Sequence, residues 1–349
     1  MRLGLNLGYW GAGNDADNLV LAQEADRCGY AVAWAAEAYG SDAATVLAWV
    51  AAQTQRIDIG SAVFQIPGRT PANTAMTAAT LDALSGGRFR LGLGVSGPQV
   101  SEGWHGVRFD KPLARTREYV DIVRLALSRS KVAYEGEFFT LPLPDGPGKA
   151  LTLTVHPVRE RIPIYLAAIG PKNLRLTGEI ADGWLGIFYS PEYAPEQIAE
   201  IAAGRSAAGR GMDGFDVVPT VPVVLGDDLE ACAEPIRAYS ALYIGGMGSR
   251  DKNFYNQLVA RMGYEEAAED VQSLFMARDY AGSSAAVPFE FIDRTSLIGP
   301  RDRVRDRLAA YAESGVTTLT LAVYSGSLQE RIDTVRTMAE ILDESGLAS

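Results

Sequence analysis

The feature that most limits how this chain can fold is a repeated alternation. Apolar runs of strand length recur at residues 2–8, 30–36, 57–64, 89–95, 164–168, 183–188, 217–225 and 317–323, and stretches with helical spacing of apolar residues separate most of them. In the first helical stretch, 17–28, Leu21, Ala22, Ala25 and Cys28 share one face. Asp42 can cap the second, 42–54, and Asn73 or Thr74 can open a third that Ser85-Gly86-Gly87 stops. Further helices are expected at 113–130, 172–181, 195–209, 301–314 and 328–342. No break in composition divides the chain, so the order predicts one α/β domain over 1–349, a (β/α)8 TIM barrel rather than a doubly wound sheet. Two insertions are expected. A hairpin and Pro/Gly-rich loop occupies 131–155, around Tyr134-Glu135-Gly136-Glu137-Phe138, and a mostly helical excursion at 228–280 separates the seventh and eighth strands.

Barrel chemistry sits where strands end and βα loops begin. One such place, LGLGVSG at 91–97, has the Gly92-x-Gly94-x-x-Gly97 spacing of a dinucleotide turn. That turn requires a helix to open at once, inside a short βαβ unit, with an acid about 20 residues further on. Here Pro98 and the stretch QVSEGWHGVRF put the next helical pattern near residue 113, and the segment after it reads as a hairpin. The glycines are therefore expected to let a barrel strand pack closely and to open a ligand loop above it.

Composition excludes several function classes. With 32 basic and 43 acidic residues the net charge is −11, and no basic stripe interleaves with aromatics, so nucleic acid is not an expected partner. The opening MRLGLNLG enters a strand directly, and no run of 18 apolar residues follows, so a cytoplasmic chain without membrane partners is expected. Cys28 and Cys232 lie far apart, and His105 and His156 are the only histidines, so neither a disulfide framework nor a metal site is suggested.

Three stretches carry a family resemblance: LDALSGGRFRLGLG (81–94) running into SGPQVSEGWHG, IGSAVFQIPGRTPANTA (59–75), and IYLAAIGPKNLRLTGEIADGW (164–184). Together they resemble the luciferase-like monooxygenase superfamily, and within it the oxidoreductases that use the deazaflavin coenzyme F420. The resemblance implies a ring held at the C-terminal ends of the strands and a phosphate held in the loop after the fifth strand. It places a non-prolyl cis peptide at Ala62–Val63, beside Ser61, where a bulge backs the ring. Gly94, Ser96 and Gly97 would lie near that ring. Ala168-Ile169-Gly170-Pro171-Lys172-Asn173 joins a strand to a helix, so backbone amides at the helix start and the charge of Lys172 can receive the phosphate.

The catalytic candidates implied by the resemblance are two carboxylates. Glu37 follows the second strand at a position where the family commonly has an acid, often followed by histidine; Ala38 stands there instead, so proton chemistry through that histidine does not transfer. Glu102 matches a proton donor of a related deazaflavin sugar dehydrogenase, and in a partly dry pocket its pKa would rise toward general acid work. Tyr9 and Trp10 either wall the substrate pocket or belong to the core, and His105 is either a titrating partner or a loop residue. Arg69, with Arg161 and Arg175 less well placed, would meet the cofactor's anionic lactyl-oligoglutamate tail.

Three functions stay open. One is an F420-dependent oxidoreductase moving a hydride between the deazaflavin C5 and a small organic substrate. Another is a monooxygenase using reduced FMN, and the third an F420-binding protein without turnover. The resemblance also implies a homodimer or higher oligomer.

Overall fold

A computed structural model describes residues 1–10, 15–248, 250, 252–324 and 326–348. Its strands are β1 (Arg2–Gly8), β2 (Val32–Ala35), β3 (Asp58–Ser61), β4 (Phe64–Gln65), β5 (Phe89–Gly94), β6 (Tyr134–Glu135), β7 (Thr140–Leu141), β8 (Ile164–Ala167), β9 (Gly183–Ile187), β10 (Asp216–Leu225), β11 (Leu297–Gly299) and β12 (Thr318–Val323). The helices are α1 (Asp15–Arg27), α2 (Ala43–Gln53), α3 (Pro71–Leu84), α4 (Pro98–Gly103), α5 (Pro112–Leu127), α6 (Pro171–Ile180), α7 (Ala194–Ala207), α8 (Leu229–Ala241), α9 (Phe254–Val259), α10 (Glu265–Met276), α11 (Tyr280–Ala285), α12 (Phe289–Thr295), α13 (Arg301–Glu313) and α14 (Leu328–Ser345). Parallel pairing runs β1-β2-β3-β5-β8-β9-β10-β12 and returns to β1, which closes the expected barrel. Strands 6 and 7 form the separate antiparallel hairpin, and β11 adds to the outer end of β10.

Side chains alternate across the barrel wall, as pleating demands. Ala33 and Ala35 of β2, and Ile164 and Leu166 of β8, join the large core shared with the surrounding helices. The opposite faces of those strands send Val32, Trp34 and Tyr165 inward, where they meet Leu185 and Val218. Trp34 and Tyr165 pack edge to face, with ring centroids 5.3 Å apart. A polar layer lies in the same interior. Arg90 of β5 binds Asp58 at 2.8 Å and Asp216 at 3.1 Å, Tyr165 donates its hydroxyl to Asp216 at 3.0 Å, and Arg2 reaches Asp216 at 3.0 Å. Each buried charge therefore has partners, without which burial would be prohibitive.

The third strand departs from its expected single run, 57–64. Ladder partners of β3 and β5 are Ile59 with Phe89 and Gly60 with Arg90; pairing then resumes in β4 as Phe64 with Leu93 and Gln65 with Gly94. The offset falls from 30 to 29 across this gap, so the third strand carries one extra residue, which makes a bulge. Ser61 bridges the gap: its hydroxyl donates to the Gly92 carbonyl at 2.8 Å and accepts the Gly92 N–H at 2.9 Å. A Cβ on Gly92 would stand 1.9 Å from the Ser61 carbonyl oxygen, and one on Gly94 2.5 Å from Val63 Cγ2. The first two glycines of the Gly92-x-Gly94-x-x-Gly97 stretch thus make room for the neighbouring strand's backbone and side chain, whereas Gly97 meets nothing tight.

Two expectations need correction. A helix does open directly after Gly97, the short α4, because Pro98 can occupy an early helical position where its missing N–H costs nothing. It is only Pro98–Gly103 long, and Gly92 and Gly94 remain inside β5, so the dinucleotide geometry is still not met. The excursion also extends past Tyr280, through α11, α12 and β11 to Gly299, and has its own apolar core built on Ile236, Val271 and Phe291. Gly92→Ala should cost about 3 kcal/mol, a melting-temperature drop of several degrees, whereas Gly97→Ala should melt within a degree or so of the parent; comparable melting curves for the two would contradict the close-approach reading.

Candidate active site at the barrel mouth

The C-terminal ends of β3 and β4, β5 and β8 form one side of the mouth. The peptide bond between Ala62 and Val63 is cis, at the position expected. Both residues pack, with Ala167 at the end of β8, on the inward cluster of Trp34, Tyr165 and Leu185. Gln65, almost wholly buried, ties this bulge to the loop after β5: its amide nitrogen donates to the Ser96 hydroxyl at 2.6 Å, and its Oε1 lies 3.0 Å from His105 Nε2. Ser96 adopts a left-handed φ of 60°, and the His105 ring packs on Gly68. His105 is therefore a half-buried, bonded part of the loop, and Gln65 is a positioning residue that sequence reading did not single out.

The two carboxylates expected to be catalytic are placed differently from one another and apart. Glu37 accepts the Ala43 N–H at 3.1 Å and the Gln65 N–H at 3.4 Å, and binds the Arg69 guanidinium at 2.8 Å. Arg69 also pairs with Asp42 and lies over the Phe64 ring, 4.6 Å from its centroid. Burial works against its charge, but the two carboxylates outweigh burial and raise its pKa. Arg69 is thereby committed to holding the loops after β2 and β4 together. Glu102 sits on α4 with its side chain 44% exposed, where Oε1 accepts the Phe109 N–H at 3.1 Å from its own loop. The structure does not bring Glu102 and Glu37 together. The other arginines considered for an anionic tail are engaged elsewhere, Arg175 with Glu200 at 2.9 Å and Arg161 with Asp182 at 2.6 Å.

The loop after β8 is shaped for an anion. Ala168 accepts the Trp184 indole N–H at 2.9 Å, which anchors the loop to β9. Gly170 is the N-cap of α6, no side chain caps the helix, and the space where a Cβ would stand is open. Pro171 opens the helix, and Lys172 is exposed with no carboxylate partner among the described residues. Free amides at a helix start and an adjacent ammonium are the elements of an anion site. Asn173 turns its side chain back toward the Ala167 carbonyl, at 3.5 Å, and Ile169 packs on the excursion's core.

Facing these elements is a wall of phenols that the excursion completes. Tyr239 and Tyr243 have ring centroids 4.8 Å apart, Tyr243 and Tyr255 4.9 Å, and Tyr239 and Tyr324 5.6 Å. Phe188, following β9, packs edge to face on the first three. Tyr9, following β1, stands at the rim 41% exposed, and Tyr243 acts on its phenol, offsetting part of the effect of burial. Burial pushes the phenols of Tyr239 and Tyr243 well above their ordinary pKa and that of Tyr255 to about 12, and raises Tyr9 and Tyr324 too. The wall is therefore neutral and proton-bearing at physiological pH. Tyr9 was named from the sequence as a possible pocket wall; Tyr239, Tyr243, Tyr255 and Tyr324 were not. The i, i+4 spacing of Tyr239 and Tyr243 was the one signal available.

The comparisons with known proteins agree with this architecture. Residues 8–318 match the model of the luciferase-like monooxygenase family. A Mycobacterium tuberculosis protein, whose name assigns it provisionally to the coenzyme F420-dependent oxidoreductases, is 45% identical over 337 residues, which cover 95% of this chain and 96% of that one. Among solved structures, the coenzyme F420-dependent tetrahydromethanopterin reductase of Methanopyrus kandleri superposes with a TM-score of 0.82 at 24% identity, covering 97% of each chain. An FMN-complexed type II Baeyer–Villiger monooxygenase of Pseudomonas putida superposes at 0.70 and 18% identity, covering 99% of this chain and 98% of that one. With a bulged third strand, an uncapped helix start after the fifth barrel strand and a family match over most of its length, the chain belongs to the luciferase-like monooxygenase family of (β/α)8 oxidoreductases.

Proposed function

We propose that this protein is a coenzyme F420-dependent oxidoreductase that moves a hydride between the deazaflavin C5 and a small organic substrate. The observation that carries the reading is the uncapped start of α6, open at Gly170 and flanked by Lys172, which has no carboxylate partner among the described residues, beside the Ala62–Val63 bulge. These residues fit the cofactor. Ser61, Ala62, Val63 and Gly94 would back its ring, with Ser96 and Gly97 in the loop above, and Ala168, Ile169, Gly170, Pro171, Lys172 and Asn173 would take its phosphate. The name of the mycobacterial relative supports F420 over other cofactors. When bound, the deazaflavin supplies a carbon that gives or accepts a hydride, and the protein supplies orientation and a dry wall.

Proton handling falls best to the phenols. Glu37 is held by Arg69, and Glu102 is turned toward Phe109 on an exposed helix. Tyr9 at the rim and Tyr243 in the buried cluster act on each other, and burial keeps both phenols protonated. A proton lost by Tyr9 to a substrate heteroatom can be replaced from solvent, because Tyr9 is part exposed. A neutral aromatic wall also favours an uncharged, flat or apolar substrate over a polyanion.

Three outcomes follow. Fluorescence titration should show F420 binding at micromolar or tighter Kd and FMN binding at least tenfold more weakly; preference for FMN would favour the monooxygenase reading. Gly170→Asp should weaken the cofactor by tenfold or more through charge repulsion at the phosphate, with an unchanged melting temperature because the position has room for a side chain. Against a panel of carbonyls, enones and imines, Tyr9→Phe and Tyr243→Phe should lower kcat by about 10²-fold on the compound turned over while F420 affinity holds; full kcat in both variants would return proton transfer to Glu37 or Glu102, and binding of F420 without turnover of any compound would favour a carrier.

A further inference from the structure

Behind the phenol wall lies a buried amide that ties two of its tyrosines together. Tyr243 belongs to the π-helical turn Leu242–Gly246 that follows α8, and Tyr255 to the first turn of α9. Asn253, only 1% exposed, stands between the two backbones. Its Nδ2 donates to the Tyr243 carbonyl at 3.0 Å and the Ile244 carbonyl at 2.9 Å, and its Oδ1 accepts the Tyr255 N–H at 3.0 Å and the Asn256 N–H at 3.1 Å. Two donors and two acceptors use the full capacity of a side-chain amide. They also fix which way round it sits, because a flipped amide would set oxygen against two carbonyls and nitrogen against two N–H groups.

Each end of the amide meets a separate need. A helix end leaves carbonyls without intrahelical partners, and a helix start leaves N–H groups without them. Asn253 serves both kinds at once, and each of the two termini carries a phenol of the wall. The turn is braced from its other side as well: a Cβ on Gly245 or Gly246 would stand 2.5 Å from Phe275 of α10, and the Asn256 Nδ2 donates to the Ala268 carbonyl at 2.7 Å. Held in this way, the Tyr243 and Tyr255 rings meet edge to face, with planes 86° apart. A shift of either backbone therefore strains the amide's bonds to the other.

We propose that Asn253 is a positioning residue for the reaction, holding Tyr243 and Tyr255 as one unit so that the Tyr243 phenol keeps its place at the mouth. The kinetic consequence rests on the F420 reading above; the linkage of the two tyrosines rests on the geometry alone.

The test uses the intact protein with its tyrosines carbon-13 labelled at the ring carbon that bears the hydroxyl, resonances being assigned through single substitutions such as Tyr243→Phe. Asn253→Asp keeps the shape of the side chain and the cap on α9 but sets oxygen against the Tyr243 and Ile244 carbonyls. Without ligand, the Tyr243 and Tyr255 resonances should both shift, while those of Tyr189 and Tyr311, which stack on each other in the main core, stay in place. A residue that only capped α9 would move Tyr255 and spare Tyr243. With F420 and the compound turned over in the panel of carbonyls, enones and imines, Asn253→Asp should lower kcat about tenfold at unchanged F420 affinity. In a Tyr243→Phe background the same substitution should lower kcat by less than about twofold, because the phenol through which it acts is already gone. Asn253→Ser, which caps α9 with a shorter side chain, gives the same two readouts if Asn253→Asp folds poorly. A Tyr243 resonance at its parental position, or full additivity of the two substitutions in kcat, would overturn the proposal. Failure of the parent to turn over any compound with F420 would overturn the reading beneath it, and the resonances alone would then decide the linkage.

Discussion

The arrangement at the mouth depends on how closely the third and fifth strands in chain order approach each other at one point. Between Gly60 and Phe64 the ladder from β3 to β5 loses its register, and the Ser61 hydroxyl supplies what the backbone does not, serving both the N–H and the carbonyl of Gly92. That contact is possible only because residue 92 has no side chain. With the two strands clamped there, the extra residue is forced out as a bulge toward the opening, and β4 resumes pairing in time to put Gln65 beneath Ser96 and His105. One close contact in the wall thus sets where the loops above it stand.

Above this clamp, the candidate carboxylates are engaged or exposed. The Glu37–Arg69–Asp42 group fastens two loops from behind, and Glu102 faces solvent from α4. What faces the opening is a set of phenols drawn from four parts of the chain, raised in pKa by burial. A phenol combines an apolar body with a proton it keeps at neutral pH, so such a wall can exclude water from the opening without introducing a competing charge.

The barrel was legible because its signal is repeated: eight apolar runs separated by helical spacing leave few alternative topologies, and the alternation of Val32, Ala33, Trp34 and Ala35 across one wall shows why. The cis bond at Ala62–Val63 and the uncapped Gly170 could be anticipated only from the family resemblance, since small residues at a strand end do not specify a peptide isomer. Helix α4 was obscured by Pro98, which reads as a breaker although it also suits a first helical turn. The residues missed altogether, among them Gln65, Tyr255 and Tyr324, have in common that their meaning lies in partners from distant segments. Arg69 was assigned to a ligand for the converse reason: two carboxylates of a neighbouring loop, invisible in its local sequence, already hold it.

The filled interior has a kinetic consequence. Trp34, Tyr165, Leu185 and Val218 occupy the lumen, and Arg90 with Asp58, Asp216 and Arg2 forms an ionic layer beside them, so the barrel is a cup with a solid base. Among the described residues, the rim beside Tyr9 is then the open end for ligands to come and go. In a vessel with one opening, position dictates sequence: whichever of two bound molecules lies deeper must arrive first and depart last, and steady-state kinetics for such a site take an ordered form with the outer molecule exchanging while the inner one stays.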